Sequence, residues 1–247
     1  MKDQKVSCII PVYNEEKTVA KVVDLALKTP QIGELIVVND GSTDNSIQNL
    51  TQFKDQIKII NLEKNHGKGY AIAQGIRKAK LPYILLLDAD LINLKPFHIS
   101  SIINPVLEQD VKMSVGDVLS NGVPLYSFLW QFSGQRCLPK KEIKPLLKKI
   151  EQTNYAMEII LNEAFRDSTV VVPLPSTKQL RVKKHEKDRN AFLGSTGFIS
   201  GILEISQSIV AHKSKEYQQK FNEDLVKSIA TYLNINAQKL KDFIQKF

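Results

Sequence analysis

At 247 residues the chain is long enough to bury a substantial core as one large α/β domain with a modest appendage, which excludes a miniature fold dependent on staples. Hydrophobic residues at 43% and charged residues at 24% exclude wholesale disorder. A formal net charge of +8 favours anionic partners, and two cysteines form neither a metal-ligand pattern nor a disulfide framework, so a reducing, cytoplasmic setting is expected.

The first five residues run straight into an apolar segment, leaving no room for a signal peptide. Short β-branched runs predict strands over 6–12, 34–38, 57–61 and 83–87. Between them, apolar residues at helical spacing predict helices over 18–27 and 68–78. This alternation is the pattern of a mostly parallel sheet with crossover helices. A helix opened by Pro96 is predicted over 96–108, a strand over 111–118, helices over 140–150 and 155–165, and a strand over 169–174. A polar, basic loop follows, holding Lys178, Arg181, Lys183, Lys184, His185 and Arg189 without the interleaved aromatics that stacking on bases needs; no nucleic-acid partner is expected. From residue 214 onward, Phe221, Leu225, Ile229 and Leu233, then Leu240, Phe243, Ile244 and Phe247, predict a helical C-terminal extension (214–247) to a main domain of 1–213. Its stripes suit packing on the domain, a homodimer partner, or a basic amphipathic tail on the inner face of a membrane.

Chemistry concentrates at predicted carboxyl ends of strands, where an open parallel sheet presents its ligand crevice. The first strand ends in Pro11-Val12-Tyr13-Asn14-Glu15-Glu16 and the second in Asn39-Asp40-Gly41-Ser42-Thr43-Asp44. Asp40 can accept from the imide or amide of a base, whereas Ser42 and Asp44 suit either a ligand or a turn with a helix cap. Asn65-His66-Gly67-Lys68-Gly69 follows the third strand and brings backbone N–H groups and one cation together. It is not a Walker A loop, and no Gly-x-Gly-x-x-Gly follows the first strand. Asp88-Ala89-Asp90 ends the fourth strand with two carboxylates that suit a hard cation on phosphates.

These four motifs, in this order over residues 6–90, resemble family 2 glycosyltransferases of the GT-A fold, a Rossmann-like α/β sandwich with a mostly parallel central sheet. The resemblance implies a nucleotide-diphosphate sugar donor, of UDP or GDP type, at Pro11, Tyr13, Glu15, Asp40, Lys68, Asp88 and Ala89. It also implies Mn²⁺ or Mg²⁺ on the diphosphate, held by Asp88 and Asp90, with Asp90 the direct ligand. Downstream, Ser133-Gly134-Gln135-Arg136 and Tyr155-Ala156-Met157-Glu158-Ile159 are similar to polyprenyl-phosphate sugar synthases and glucosyl-3-phosphoglycerate synthases, and Val182-Lys183-Lys184-His185 to the latter. By that likeness Gly134, Gln135 and Arg136 meet the acceptor or diphosphate, Lys183 meets the diphosphate, and His185 joins the metal, tilting preference toward Mn²⁺. The acceptor implied is an anionic small molecule or a lipid phosphate.

No Glu-Asp pair stands between 91 and 166, so Glu158 is the candidate general base, or else a structural partner of an arginine. A sugar-nucleotide pyrophosphorylase, the first rival reading, expects an Arg-containing glycine-rich loop where Tyr13-Asn14-Glu15-Glu16 stands. A non-catalytic nucleotide-sugar binding protein, the second, does not expect an intact Asp88-Ala89-Asp90.

Overall fold

A computed structural model describes residues 4–109, 111–118, 130–131, 133–153 and 157–179, all within the compact unit Met1–Val182. In chain order the elements are β1 (Val6–Val12), α1 (Val19–Leu27), β2 (Ile32–Asn39), β3 (Lys58–Asn61), α2 (Lys68–Lys78), β4 (Tyr83–Leu86), β5 (Leu91–Ile92), α3 (Pro96–Glu108), β6 (Met113–Asp117), β7 (Arg136–Pro139), α4 (Lys140–Ile143), α5 (Leu147–Glu151), α6 (Met157–Ala164), β8 (Thr169–Pro173) and β9 (Lys178–Gln179).

One sheet runs in the order β3-β2-β1-β4-β7-β6-β8, and β5 with β9 forms a small antiparallel pair. Only β7 runs against its neighbours, pairing antiparallel with both β4 and β6, so the expected mostly parallel sheet is present. Its strands read as continuous apolar runs because helices cover both faces. In β1, Cys8, Ile10 and Val12 enter the core under α1 and α3, while Ile9 enters the opposite core under α2, α5 and α6. Leu85 and Leu86 of β4 divide the same way. That alternation, two residues per repeat, locks the register, because a one-residue slip would exchange the two cores.

β1 has β2 on one side and β4 on the other, because the chain steps outward from β1 to β2 and β3 and then crosses back to β4. This is the switch point at which an open sheet forms its crevice. β1 pairs with β4 only over Val6–Ile9, so Pro11 sits where β1 has lost that neighbour and its missing N–H is not needed.

One expectation is corrected, and two further elements carry no signal in the sequence. The helix over 140–150 is α4 and α5 joined by a 3₁₀ turn at Lys144–Leu146, because Pro145 cannot donate to a continuous helix. β7 was not anticipated: four residues with an arginine at one end and a proline at the other carry no strand signature. The 3₁₀ turn at Gln48–Phe53, where Leu50 and Phe53 are the buried residues, was likewise unread. The helices expected beyond 214, and the 213/214 boundary, lie outside the described residues. No helix among those described is long and apolar enough to cross a membrane.

Candidate active site

The loops after β1, β2 and β3 are tied to one another by their own side chains. Asn14 adopts a left-handed backbone (φ 55°), its Oδ1 accepts from Thr43 N–H at 2.8 Å, and its own N–H donates to Ser42 Oγ at 3.1 Å. Glu15 N–H donates to Ser46 Oγ at 2.7 Å and Glu16 N–H to Asp44 Oδ2 at 3.2 Å. Burial works against the Asp44 charge, but hydrogen bonds from Ser46 and Glu16 outweigh it and hold that carboxyl below its ordinary range. Ser42 and Asp44 therefore brace the loop pair, and the Asp44–Ser46 contact is a local turn.

Asp40 accepts from His66 N–H through Oδ1 and from Gly67 N–H through Oδ2, both at 2.8 Å. The chain between β3 and α2 is thereby drawn onto the end of β2. Gly41 is required for this approach: its φ is +72°, and a Cβ would stand 2.6 Å from the Lys64 carbonyl carbon. A ligand at Asp40 would use the lone pairs that remain. Tyr13, 40% exposed, offers an aromatic ring at the exit of β1.

Because α2 begins at Lys68, the Asp40 contacts also set the position of that lysine. Its ammonium stands 2.7 Å from Asp88 Oδ1 and 3.1 Å from Glu158 Oε1, bridging the end of β4 to α6. Burial opposes the charge on Lys68, yet the two carboxylates hold its proton more firmly than usual. The second oxygen of Asp88, Oδ2, accepts from Gln135 Nε2 at 2.7 Å. Gly134 lies so close that a Cβ would come within 2.5 Å of Lys68 Nζ and 2.6 Å of both Asp88 oxygens.

Asp90 differs from Asp88. Its Oδ1 is buried without a hydrogen-bond partner, and burial, reinforced by the charges of Asp88 and Glu15, pushes its carboxyl up to about 7. An unsatisfied buried carboxylate oxygen beside other carboxylates is what a hard divalent cation would relieve, so these residues fit one. Among the described residues no three His, Cys, Asp or Glu side chains are arranged to hold a metal by themselves. The rest of the coordination would come from a ligand's oxygens.

Several expected site residues are placed differently. Arg136, expected at the diphosphate, is fully buried: its guanidinium donates to the Ser133 and Gln131 carbonyls at 2.8 Å and to Asn162 Oδ1 at 2.7 Å. Burial lowers its proton affinity to about 10, partly offset by Glu158 and Asp88. It braces the segment before β7 against Gln131 and Asn162. Gln135 is also fully buried and reaches the site only through Asp88. Ala89 packs into the core, leaving only its backbone for a ligand. Glu158 is buried and paired with Lys68, not with an arginine.

Lys183 and His185 lie outside the described residues. β9 pairs Gln179 with Leu91, antiparallel, so the chain leaves Gln179 next to the residue that follows Asp90. Ser133, given no role by its sequence, holds Gln135 Oε1 at 2.6 Å; only the serine two residues before the glutamine hinted at this.

The sequence pattern of glycosyl transferase family 2 matches residues 7–133. Poly-beta-1,6-N-acetyl-D-glucosamine synthase of Staphylococcus epidermidis is 38% identical over 89 residues, 34% of this chain and 21% of that protein. Undecaprenyl-phosphate 4-deoxy-4-formamido-L-arabinose transferase of Proteus mirabilis is 38% identical over 100 residues, 37% of this chain and 31% of that protein. The chain thus matches less than a third of the length of either relative. Glucosyl-3-phosphoglycerate synthase from Mycobacterium tuberculosis, solved with Mn²⁺, UDP and glucosyl-3-phosphoglycerate, has a TM-score of 0.61 at 18% identity, covering 82% of this chain and 80% of that one. That likeness is one of fold.

Proposed function

The chain belongs to glycosyl transferase family 2, with the GT-A fold, and from that premise we propose that it transfers a sugar from a UDP- or GDP-linked donor to a phosphate-bearing acceptor, with Mn²⁺ or Mg²⁺ as cofactor. The single observation that carries this reading is the unequal pair of aspartates at the switch point. Asp88 is fully engaged by Lys68 and Gln135, while Asp90 keeps a buried oxygen without a partner.

In this reading Asp90 Oδ1 would hold the cation, joined by His185 as the resemblance implies. When bound, the cation neutralises charge that grows on the leaving nucleoside diphosphate. The chain's own part is positioning and charge. Pro11, Tyr13 and Glu15, with Asp40, form the rim for the nucleoside, Tyr13 offering a face for the base. Lys68, fixed by Asp88 and Glu158, keeps a permanent positive charge in the crevice and favours anionic groups there. Lys183 adds a second cation toward the diphosphate. Glu158 anchors Lys68, an ion pair that already engages its Oε1. An acceptor already ionised, such as a phosphate, needs no general base. The net charge of +8 suits a phosphate-bearing acceptor, free or on a lipid.

Incubating the full chain with Mn²⁺ and UDP-, GDP- and ADP-sugars, with and without phosphorylated acceptors, should release nucleoside diphosphate from one UDP or GDP donor. Asp90→Ala should reduce that release by a factor on the order of 10³. Release equal in parent and variant would overturn the assignment.

A further inference from the structure

Asp88 and Asp90 are chemically identical and two residues apart, yet both oxygens of one meet a protein donor, whereas an oxygen of the other is buried without one. The difference is built from the segment before β7. Gln135 is fully buried, its carbonyl accepts from Gly116 N–H at 2.8 Å, and its amide stands 2.7 Å from Asp88 Oδ2. An amide can face either way, so something must decide that NH₂ rather than the oxygen meets the carboxylate. The Asp88 carboxylate does, since it can only accept; the amide oxygen is then left facing Ser133 Oγ, also fully buried, which stands 2.6 Å from Oε1 and shares its single proton between that oxygen and the Gly116 carbonyl. Lys68 takes the other oxygen at 2.7 Å, and Gly134, having no Cβ, leaves the space that this pair occupies.

We propose that Gln135, steadied by Ser133, is a positioning residue that keeps Asp88 from joining Asp90 on the cation. The inference rests on Asp90 as the cation ligand. Holding one carboxylate back has a chemical purpose: a cation bound by a single aspartate keeps more positions and more net positive charge for diphosphate oxygens than one shared by two carboxylates. Gln135 thus trades affinity for the bare ion against affinity for the ion with its nucleotide.

The test is Mn²⁺ binding to the full chain, read by loss of the free-ion EPR signal, with Mn²⁺ alone and with UDP. Gln135→Met, close in volume, releases Asp88 Oδ2; Ser133→Ala removes the partner that fixes Gln135 Oε1 and so loosens the amide's hold on Asp88. Both should bind Mn²⁺ alone more tightly, by about tenfold for Gln135→Met, and both should lose part of the enhancement that UDP brings. In an Asp88→Asn background neither substitution should change Mn²⁺ affinity, which a merely structural role would not predict. Unchanged or weaker binding of Mn²⁺ alone, or an effect that persists without the Asp88 carboxylate, overturns the proposal. If Gln135→Met does not fold, Ser133→Ala decides alone. A parent protein whose Mn²⁺ binding survives Asp90→Ala, with and without UDP, would instead remove the cation reading, and the proposal with it.

Discussion

Lys68→Met is expected to cost the fold about 3–5 kcal/mol, the range for removing one partner from a buried ion pair and leaving the other uncompensated. The lysine bridges Asp88 and Glu158, both nearly inaccessible, so its loss leaves two carboxylates facing each other in a poorly solvated space. They would respond by taking up a proton. In the variant the folded carboxylates have raised proton affinity, so stability is present at low pH and is lost as pH rises through their shifted range. Urea unfolding at pH 5 and pH 8 checks this: the penalty should be larger at pH 8. Adding Glu158→Gln should return part of the loss, since the repelling charge is gone. A penalty below about 1 kcal/mol, equal at both pH values, would mean that the triad is solvated like an ordinary surface pair.

The second large effect concerns Asp90 in the absence of metal. Its carboxyl is pushed up to about 7 by burial and then by the charges of Asp88 and Glu15. A carboxyl whose folded value lies above its unfolded value contributes stability that is fully present below about pH 4 and is lost as pH rises through 7. Kept in chelator, the parent protein should therefore melt higher at pH 5.5 than at pH 8. Asp90→Asn has no such charge to bury, so it should flatten this slope and melt above the parent at pH 8, while losing transfer. Stability would be gained where function is lost, as expected when an active site holds a group in an unfavourable environment. Parallel melting curves for parent and Asp90→Asn from pH 5.5 to 8 would contradict this account of Asp90.

The parallel half of the fold was legible because each element carried its own local signal. β1, α2 and α3 coincide with the predicted 6–12, 68–78 and 96–108, since strand runs, helical spacing and Pro96 at a helix start are all short-range features. The strand-end motifs were legible for the same reason, as they sit where short apolar runs stop. What was not legible depends on partners distant in the chain. β7 exists because β4 and β6 flank it, and nothing within Arg136-Cys137-Leu138-Pro139 announces that. Arg136 read as an acceptor or diphosphate contact from the resemblance alone, and its burial against Asn162 and the carbonyls of Gln131 and Ser133 depends on residues its own motif does not announce. Asp40 read as a base ligand, while its contacts with His66 and Gly67 needed the close approach of two loops about 26 residues apart. Glu158 read as a base or an arginine partner, and the lysine that holds it lies 90 residues away.

Calorimetric titration of UDP and of GDP into the full chain, with Mn²⁺ and with chelator, tests the central assignment most directly. One nucleotide should bind with Mn²⁺ and lose at least about tenfold in affinity when the ion is chelated, and Asp90→Ala should bind it as weakly with Mn²⁺ as the parent does without. Binding of neither nucleotide, or binding indifferent to both Mn²⁺ and Asp90, would contradict a nucleotide-diphosphate crevice built around that aspartate.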